Sequence, residues 1–324
     1  MVSVHRGVTH GPRIDGVIDV PDELIATLSA HGGAPGRAFA AALPGLAGRF
    51  LDTWELRRDG DVMYGVCALV LPVVREADGR RAALKLQARD EETAGEPVAL
   101  RAWAAAGAGA VVLLDHDAET GTMLLERLDE RRPLSAMADE REAVRVLAAL
   151  LARLTAVPAP ADMRGLGDAA SRMLGEAPGA VAALADEGER RLLEDCAAAV
   201  REVAGEPGDR LLHWDLHFDN VLAGRAEEGR AGEWFALDPK PLAGDPGFDL
   251  LPALVNRFDA GEVRWRFDVL TEALGMARDR DRARAWTLGR ILQNALWGVR
   301  EGGSRMAPQQ VVIGCLLLGR DAGV

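Results

Sequence analysis

Cysteine is scarce in this 324-residue chain: Cys67, Cys196 and Cys315 are odd in number and far apart. That pattern excludes a disulfide framework and a CxxC metal site, and it reads as buried thiols in a reducing compartment. Long apolar runs are missing too. The longest, 66–74 and 311–318, are too short to span a bilayer, and the opening "MVSVHRGVTHGPRIDG" lacks the apolar stretch of a secretory leader. A cytoplasmic protein with no membrane partner is expected. Positive charge is in deficit, with 38 Lys and Arg against 50 Asp and Glu for a net charge of −12. Nucleic-acid affinity comes largely from Lys and Arg that release counterions, so this balance argues against a nucleic-acid partner. It permits a small-molecule acceptor, including a cationic one, and leaves the oligomeric state open. Internal repeats and low-complexity linkers are absent.

What is present is 48% hydrophobic content, enough for one large core or two moderate ones. Residues 1–52 read as an irregular tip followed by helices. One is opened by Pro21-Asp22-Glu23; a second, led by Pro35-Gly36-Arg37, carries Phe39, Leu43, Leu46 and Phe50, with a break expected at Pro44. From 54 to 86 the texture turns to short β-type runs, "TWELR", "YGVCALVLPVV" and "RAALKLQ", interrupted at Asp59-Gly60 and Asp78-Gly79. Two consecutive hairpins make a three-stranded antiparallel meander. A helix over 96–106 and apolar runs at 110–114 and 123–125 extend it to a five-stranded sheet with one helix. Beyond Pro133 the pattern is helical: Val144, Leu147, Leu151 and Leu154 recur at three- and four-residue spacing until Pro158 and Pro160 stop the segment. The expectation is an α+β chain of two lobes, with an N-terminal helical extension at 1–52, a sheet lobe at 53–128 and a helical lobe at 129–324.

Two strand-like runs in the helical lobe each end in a polar loop, and the chemistry concentrates there. The loop after Leu212 reads His213, Trp214, Asp215, Leu216, His217, Phe218, Asp219, Asn220, and the next strand delivers Asp238 eighteen residues later. Phosphoryl transfer asks a protein for little covalent chemistry; it needs a positioned acceptor hydroxyl and divalent metal on the phosphates. A carboxylate and an amide five residues apart, with a carboxylate from the following hairpin, meet both needs. Asp215 is read as the group that accepts or orients the hydroxyl proton. Asn220 and Asp238 are read as oxygen ligands to magnesium, Mg2+ being a hard cation. Lys85, alone among apolar residues in "AALKL", is placed to grip the α- and β-phosphates of ATP, and Glu96 at the head of the next helix to pair with it. The hairpin at Arg58-Asp59-Gly60-Asp61 has one glycine and no G-x-G-x-x-G, so neither phosphate cradling nor the choice of ATP over GTP is legible in it.

"HWDLHFDN", "LDPKPLAGDPGFDL", "LKL" ahead of a helix with "EPVALRAW", and "LLERL" together resemble the streptomycin 6-kinase and hydroxyurea phosphotransferase branch of the aminoglycoside phosphotransferase superfamily, from about residue 20 to the end. The resemblance implies a protein-kinase-like fold, with an ATP-binding N-lobe and a mainly α-helical C-lobe. It implies Asp215 as catalytic base, Asn220 and Asp238 on the metal, and Lys85 on the phosphates. It further implies a hinge running from Glu126 to Leu128, whose backbone groups would hydrogen-bond adenine. The implied activity is ATP-dependent phosphorylation of a hydroxyl on a streptomycin-like aminoglycoside or hydroxyurea, conferring resistance. Trp214 stands where most aminoglycoside kinases carry glycine, which looks typical of this branch.

Each feature has a plainer reading. Alone, Lys85 and Glu96 would be a surface ion pair on an amphipathic strand and helix; their order ahead of the catalytic loop favours the functional one. His213 and His217 superficially offer, with Asp215, a metallohydrolase site, but no further histidine-rich cluster completes zinc ligation, and bracing of the loop is favoured. Asp245 and Asp249 read as helix-opening residues of structural role. Gln293, Trp297 and Glu301 form one helical face that lines an acceptor pocket or packs in the core, and Trp286 shares that ambiguity; Trp54 reads as N-lobe core. A metabolite kinase with another substrate and a non-catalytic nucleotide-binding pseudokinase are the competing functions.

Overall fold

The computed structural model describes residues 18–320; the irregular tip expected before them lies outside the described residues. Helical residues run from Asp22 to Thr53 (α1), with a bend at Gly33, whose φ of 55° and ψ of −131° glycine adopts at little cost. Pro35 follows the bend, where the start of a new helical stretch tolerates it. The two expected helices are therefore both present, meeting at the Gly33 kink. No break occurs at Pro44. Burial of Leu43 and Phe50 on either side, roughly 1.5–3 kcal/mol each, offsets the roughly 3 kcal/mol that an interior proline costs.

The strands β1 (Leu56–Arg58), β2 (Met63–Tyr64), β3 (Ala68–Arg75), β4 (Arg81–Gln87), β5 (Leu113–His116) and β6 (Met123–Glu126) form one antiparallel sheet in the order β1-β3-β4-β6-β5, with β2 also on β3. β1 pairs with Val73, Val74 and Arg75, and β2 with Leu69 and Val70, so the two lie along one edge of β3. Five strand positions are present, the first split by an excursion at 59–62. That split relocates the turn expected at Arg58-Asp59-Gly60-Asp61. Asp59 N–H donates to Pro72 O at 2.8 Å, so the chain stays on the same edge, and it reverses only at Gly65-Val66-Cys67, closed by Gly65 N to Ala68 O at 3.0 Å.

Strand alternation then separates two faces. Leu84 and Leu86 of β4 join Leu69, Leu71 and Val73 against Leu24, Leu43 and Phe50 of α1. Lys85 and Gln87 point the other way, toward α2 (Glu96–Ala106). Trp103 of α2 donates its indole N–H to Leu154 O at 3.0 Å, fastening the sheet lobe to α3 (Glu140–Thr155). The rest of the C-lobe contains α4 (Leu166–Ala183), α5 (Glu187–Val203), α6 (Leu251–Val255), α7 (Val263–Ala273), α8 (Arg280–Arg300) and α9 (Pro308–Leu317). Two small sheets interrupt the helices: β7 (Asp129–Pro133) with β9 (Val221–Ala223) and β10 (Trp234–Ala236), and β8 (Arg210–Leu212) with β11 (Leu242–Gly244). Cys196 is buried and Cys315 half-buried, but Cys67 is exposed, contrary to expectation, because it sits on the reversal into β3. Among the described residues no helix is long and apolar enough to cross a membrane.

Candidate active site

Lys85 reaches its partners from the middle of β4, between Val70 and Met123 on the neighbouring strands. Its Nζ lies 2.8 and 2.9 Å from the two Glu96 carboxylate oxygens and 2.6 Å from Asp238 Oδ1, and Gln87 Nε2 donates to Glu96 Oε2 at 2.6 Å. Lys85 is 5% exposed and Glu96 0%, which rules out the surface-pair reading. A buried charge persists only when paired and hydrogen-bonded. Burial alone would lower the Lys85 pKa, but Asp238 and Glu96 outweigh it and hold the ammonium above its ordinary value. Burial pushes the Glu96 carboxyl up against the pull of Lys85, whereas for Asp238 the pull of Lys85 outweighs burial and lowers it.

The loop after β8 is pinned from beneath. Asp249, fully buried, accepts the N–H of His213 at 2.8 Å and of Trp214 at 2.5 Å. Burial pushes its carboxyl up to about 7 even though both N–H donors favour the anion. Its role is structural, but it holds the loop 213–220 and does not cap the next turn; Asp245 is the residue that caps the turn at Pro246–Asp249, accepting Gly247 N–H at 2.8 Å. Trp214 and Asp238 adopt φ of 65° and 59°, left-handed conformations that are uncommon outside glycine and cluster at functional sites. His213 Nδ1 accepts the N–H of Asp215 at 3.3 Å, which assigns the proton to Nε2, 3.2 Å from Leu237 O. Burial lowers its pKa to about 4, so the ring is neutral. His217 Nδ1 accepts Asp219 N–H at 3.3 Å. Both histidines thus brace the loop, and the metallohydrolase reading finds no free His213 ring nitrogen. Among the described residues no three His, Cys, Asp or Glu side chains converge to hold a metal.

Asp215, Asn220 and Asp238 are brought together by this bracing. Asn220 Nδ2 donates to Asp215 O at 2.9 Å, and Leu237 N donates to Asn220 O at 3.0 Å, joining the two loops next to Asp238. Asn220 Oδ1 is buried without a hydrogen-bond partner, a position that normally calls for an explanation. It and the Asp238 carboxylate on the neighbouring loop are hard oxygens, the donor type that would suit magnesium with substrate phosphates completing its shell. Glu126 Oε1 accepts Val112 N–H at 2.8 Å, its Oε2 accepts Arg230 Nη1 at 2.5 Å, and its own N–H donates to Val112 O at 2.9 Å, so the side chain and the backbone N–H are both committed. Leu128 packs into the core. Between them Arg127 binds Asp59 Oδ2 and Glu130 Oε1, both at 2.8 Å, tying the excursion of the first strand to the connection between the lobes.

Beside the loop lies a cavity of about 160 Å³ whose wall includes Trp214, Gln293, Trp297, Arg164, Glu91 and Glu92. The helical face singled out in the sequence therefore splits. Gln293 and Trp297 line the cavity, Glu301 is exposed off its wall, and Trp286 is fully buried core. Trp54 is half-buried against Phe50 at 4.6 Å. The Trp214 ring is held between Arg164 at 4.1 Å and the buried Arg290 at 4.8 Å. Sequence reasoning missed these arginines, Glu92 and Lys240. Arg290 was within reach, three residues before Gln293 on one helix, and Lys240 stands two after Asp238. Arg164 and Glu92 come from loops that only the tertiary fold brings to the cavity.

Residues 53–302 match the family described as aminoglycoside/hydroxyurea antibiotic resistance kinase. A hydroxyurea phosphotransferase of Kitasatospora aureofaciens is 59% identical over 310 residues, covering 95% of this chain and 88% of that protein. A streptomycin 6-kinase of Streptomyces glaucescens is 52% identical over 311 residues, covering 94% and 98%. The fold is the protein-kinase-like one shared with a thermostable mutant of aminoglycoside phosphotransferase APH(4)-Ia, solved as a ternary complex with AMP-PNP and hygromycin B, at a TM-score of 0.58, 12% identity, and coverage of 86% and 99%.

Proposed function

This chain belongs to the aminoglycoside/hydroxyurea antibiotic resistance kinases, and we propose that it transfers the γ-phosphoryl group of ATP to a hydroxyl of a small antibiotic, inactivating it. The observation that carries this reading is the cluster of Lys85, Glu96 and Asp238 beside Asp215 and Asn220, complete and held by buried contacts. Lys85 grips the α- and β-phosphates, and Glu96 keeps its ammonium charged and aimed. Asp215 orients the attacking hydroxyl and takes its proton on the carboxylate. Asn220 and Asp238 are the ligands for magnesium, which when bound neutralises charge on the phosphates. The backbone of Glu126 and Leu128 receives adenine, and the turn at Gly65-Val66-Cys67 covers the phosphates. In this scheme residues 53–128 are the nucleotide lobe, 129–324 the acceptor lobe, and 1–52 an extension bracing the sheet. The reaction belongs in the cytoplasm, where ATP is supplied.

The size of the cavity, about 160 Å³, favours an acceptor as small as hydroxyurea, since drug-sized ligands fill roughly 300–1,000 Å³. The carboxylates of Glu91 and Glu92 on its wall favour a second reading, a guanidinium-bearing aminocyclitol of the streptomycin kind. A pseudokinase role is disfavoured by the intact cluster. The deciding experiment is magnesium-dependent ADP release from ATP with hydroxyurea, streptomycin, other aminoglycosides and sugar alcohols. Stimulation by hydroxyurea or streptomycin supports the reading and selects the acceptor. Stimulation by a sugar alcohol alone would replace it with a metabolite kinase, and bound ATP with no turnover on any acceptor would overturn it.

A further inference from the structure

Lys240 lies two residues past Asp238 in "LDPKPL", with Pro239 and Pro241 fixing the backbone on both sides. Its N–H donates to His213 O at 3.0 Å, and its carbonyl accepts Arg164 Nη2 at 3.3 Å. Its Nζ stands 3.4 Å from Asp215 Oδ2 and 3.9 Å from Glu92 Oε2, the latter on the loop that follows β4 in the opposite lobe. These are looser than the Lys85 contacts, and the side chain is 31% exposed, so the ammonium keeps a face open to the cleft. Burial alone would lower its pKa, but Asp215, Glu92 and Asp238 outweigh burial and the opposing Arg290, keeping it charged.

The proposed reaction leaves a vacancy for such a charge. In an in-line displacement the phosphoryl group passes between the hydroxyl held by Asp215 and the leaving oxygen on the metal side, with negative charge spread over its three equatorial oxygens. Lys85 is occupied with Glu96 and Asp238 on the nucleotide side. The catalytic loop, 213–220, brings no Lys or Arg of its own. Arg290 is packed among Trp214, Trp297 and Phe248.

We propose that Lys240 is a second catalytic lysine, whose ammonium contacts the γ-phosphoryl group in flight between ATP and the acceptor oxygen. The acceptor oxygen forms its bond to phosphorus as the bond from phosphorus to the β,γ-bridging oxygen breaks. The electron pair of that bond leaves with ADP, and the acceptor proton passes to Asp215. Lys240 neither gives nor takes a proton; it releases Asp215 and Glu92 in part to meet the charge that develops. This role rests on the kinase reading above.

The test is steady-state ADP release by the full chain with saturating ATP and the acceptor that the wild type uses, alongside AMP-PNP binding and thermal melting. Lys240→Ala should lower kcat roughly 10²- to 10³-fold, the scale of losing one preorganised charge-stabilising donor, with AMP-PNP affinity and melting temperature unchanged. Ethylamine added to Lys240→Ala should restore turnover in proportion to its concentration, and Lys240→Arg should retain part of it. Near-wild-type kcat in Lys240→Ala, or a loss that neither ethylamine nor arginine relieves, would overturn the assignment. A raised acceptor KM with an unchanged kcat would also overturn it, reducing Lys240 to a residue that positions the acceptor. A wild type that turns over no acceptor would instead defeat the kinase reading itself.

Discussion

The Lys85 ammonium meets the Asp238 carboxylate at 2.6 Å, although the two residues are 153 apart in the chain and stand in opposite lobes. The same ammonium binds both oxygens of Glu96, so three elements converge on one buried charge. Removing it should cost stability as well as activity. Lys85→Met leaves Glu96 buried with no cation and Asp238 close by, and breaking such a pair from one side costs roughly 3–5 kcal/mol. Lys85→Met/Glu96→Gln should recover much of that loss, because a neutral amide can stay hydrogen-bonded to Gln87 without carrying a charge. Urea denaturation of the two variants decides the matter. A single variant as stable as the wild type would mean that the pair does not anchor the lobes.

The roles assigned to Asp215 and to Lys85 separate kinetically. Asp215 pairs with Lys240 and makes no contact with the Lys85 cluster, so Asp215→Asn should leave AMP-PNP affinity intact. Its kcat should fall roughly 10²- to 10⁴-fold, the usual worth of a positioned general base. Turnover near the wild-type value would show that another group takes the hydroxyl proton.

Cys67 reports on the turn that the sequence misplaced. It is exposed at the reversal from β2 into β3, and its thiol pKa is raised by desolvation, with Asp90, Asp238 and Glu92 adding to the rise and Lys240 opposing it. Those neighbours place the thiol over the cleft. N-ethylmaleimide at mildly alkaline pH should label Cys67 ahead of half-buried Cys315 and buried Cys196, and magnesium with ATP should slow the labelling. Peptide mass spectrometry reads the result directly. Labelling at Cys67 that ATP leaves unaffected would remove the turn at 65–67 from the phosphate site.

What was legible in the sequence follows from how local each signal is. The helix at 96–106 and the strand runs around Lys85 carry their own periodicity and turn residues, and they appear where expected. The polar loop 213–220 is one continuous segment, so its carboxylate, amide and two bracing histidines could be read in order. The turn at Gly65-Val66-Cys67 was missed because Asp59-Gly60 is the stronger turn dipeptide, yet Asp59 N–H pairs with Pro72 O and is drawn to Arg127 instead of reversing the chain. Proline at 44 read as a breaker because its cost is local, whereas the burial that offsets it belongs to the sheet. The cavity wall was illegible for the same reason. Glu92, Arg164 and Lys240 meet only after both lobes have folded, and no spacing in the chain records that meeting.

The loop that carries Asp215 also has a pH signature. Burial holds the Asp249 carboxyl at about 7, so between its ordinary value of 3.8 and 7 the folded chain keeps a proton that the unfolded chain has lost. Its contribution to stability is full below pH 3.8 and is lost as pH rises through 7. His213 runs the other way. Burial lowers its pKa from 6.5 to about 4, so its contribution is full above pH 6.5 and is lost as pH falls through 4. Across the shared window the two trends oppose, and the wild type should show only their difference. Asp249→Asn removes one of them. It also leaves a single amide oxygen for the two N–H groups of His213 and Trp214, so kcat should fall while the His213 trend is unmasked. Urea midpoints between about pH 4.5 and about pH 6.5 should therefore rise more steeply with pH in the variant than in the wild type. Parallel curves would mean that Asp249 does not take up its proton in the folded loop.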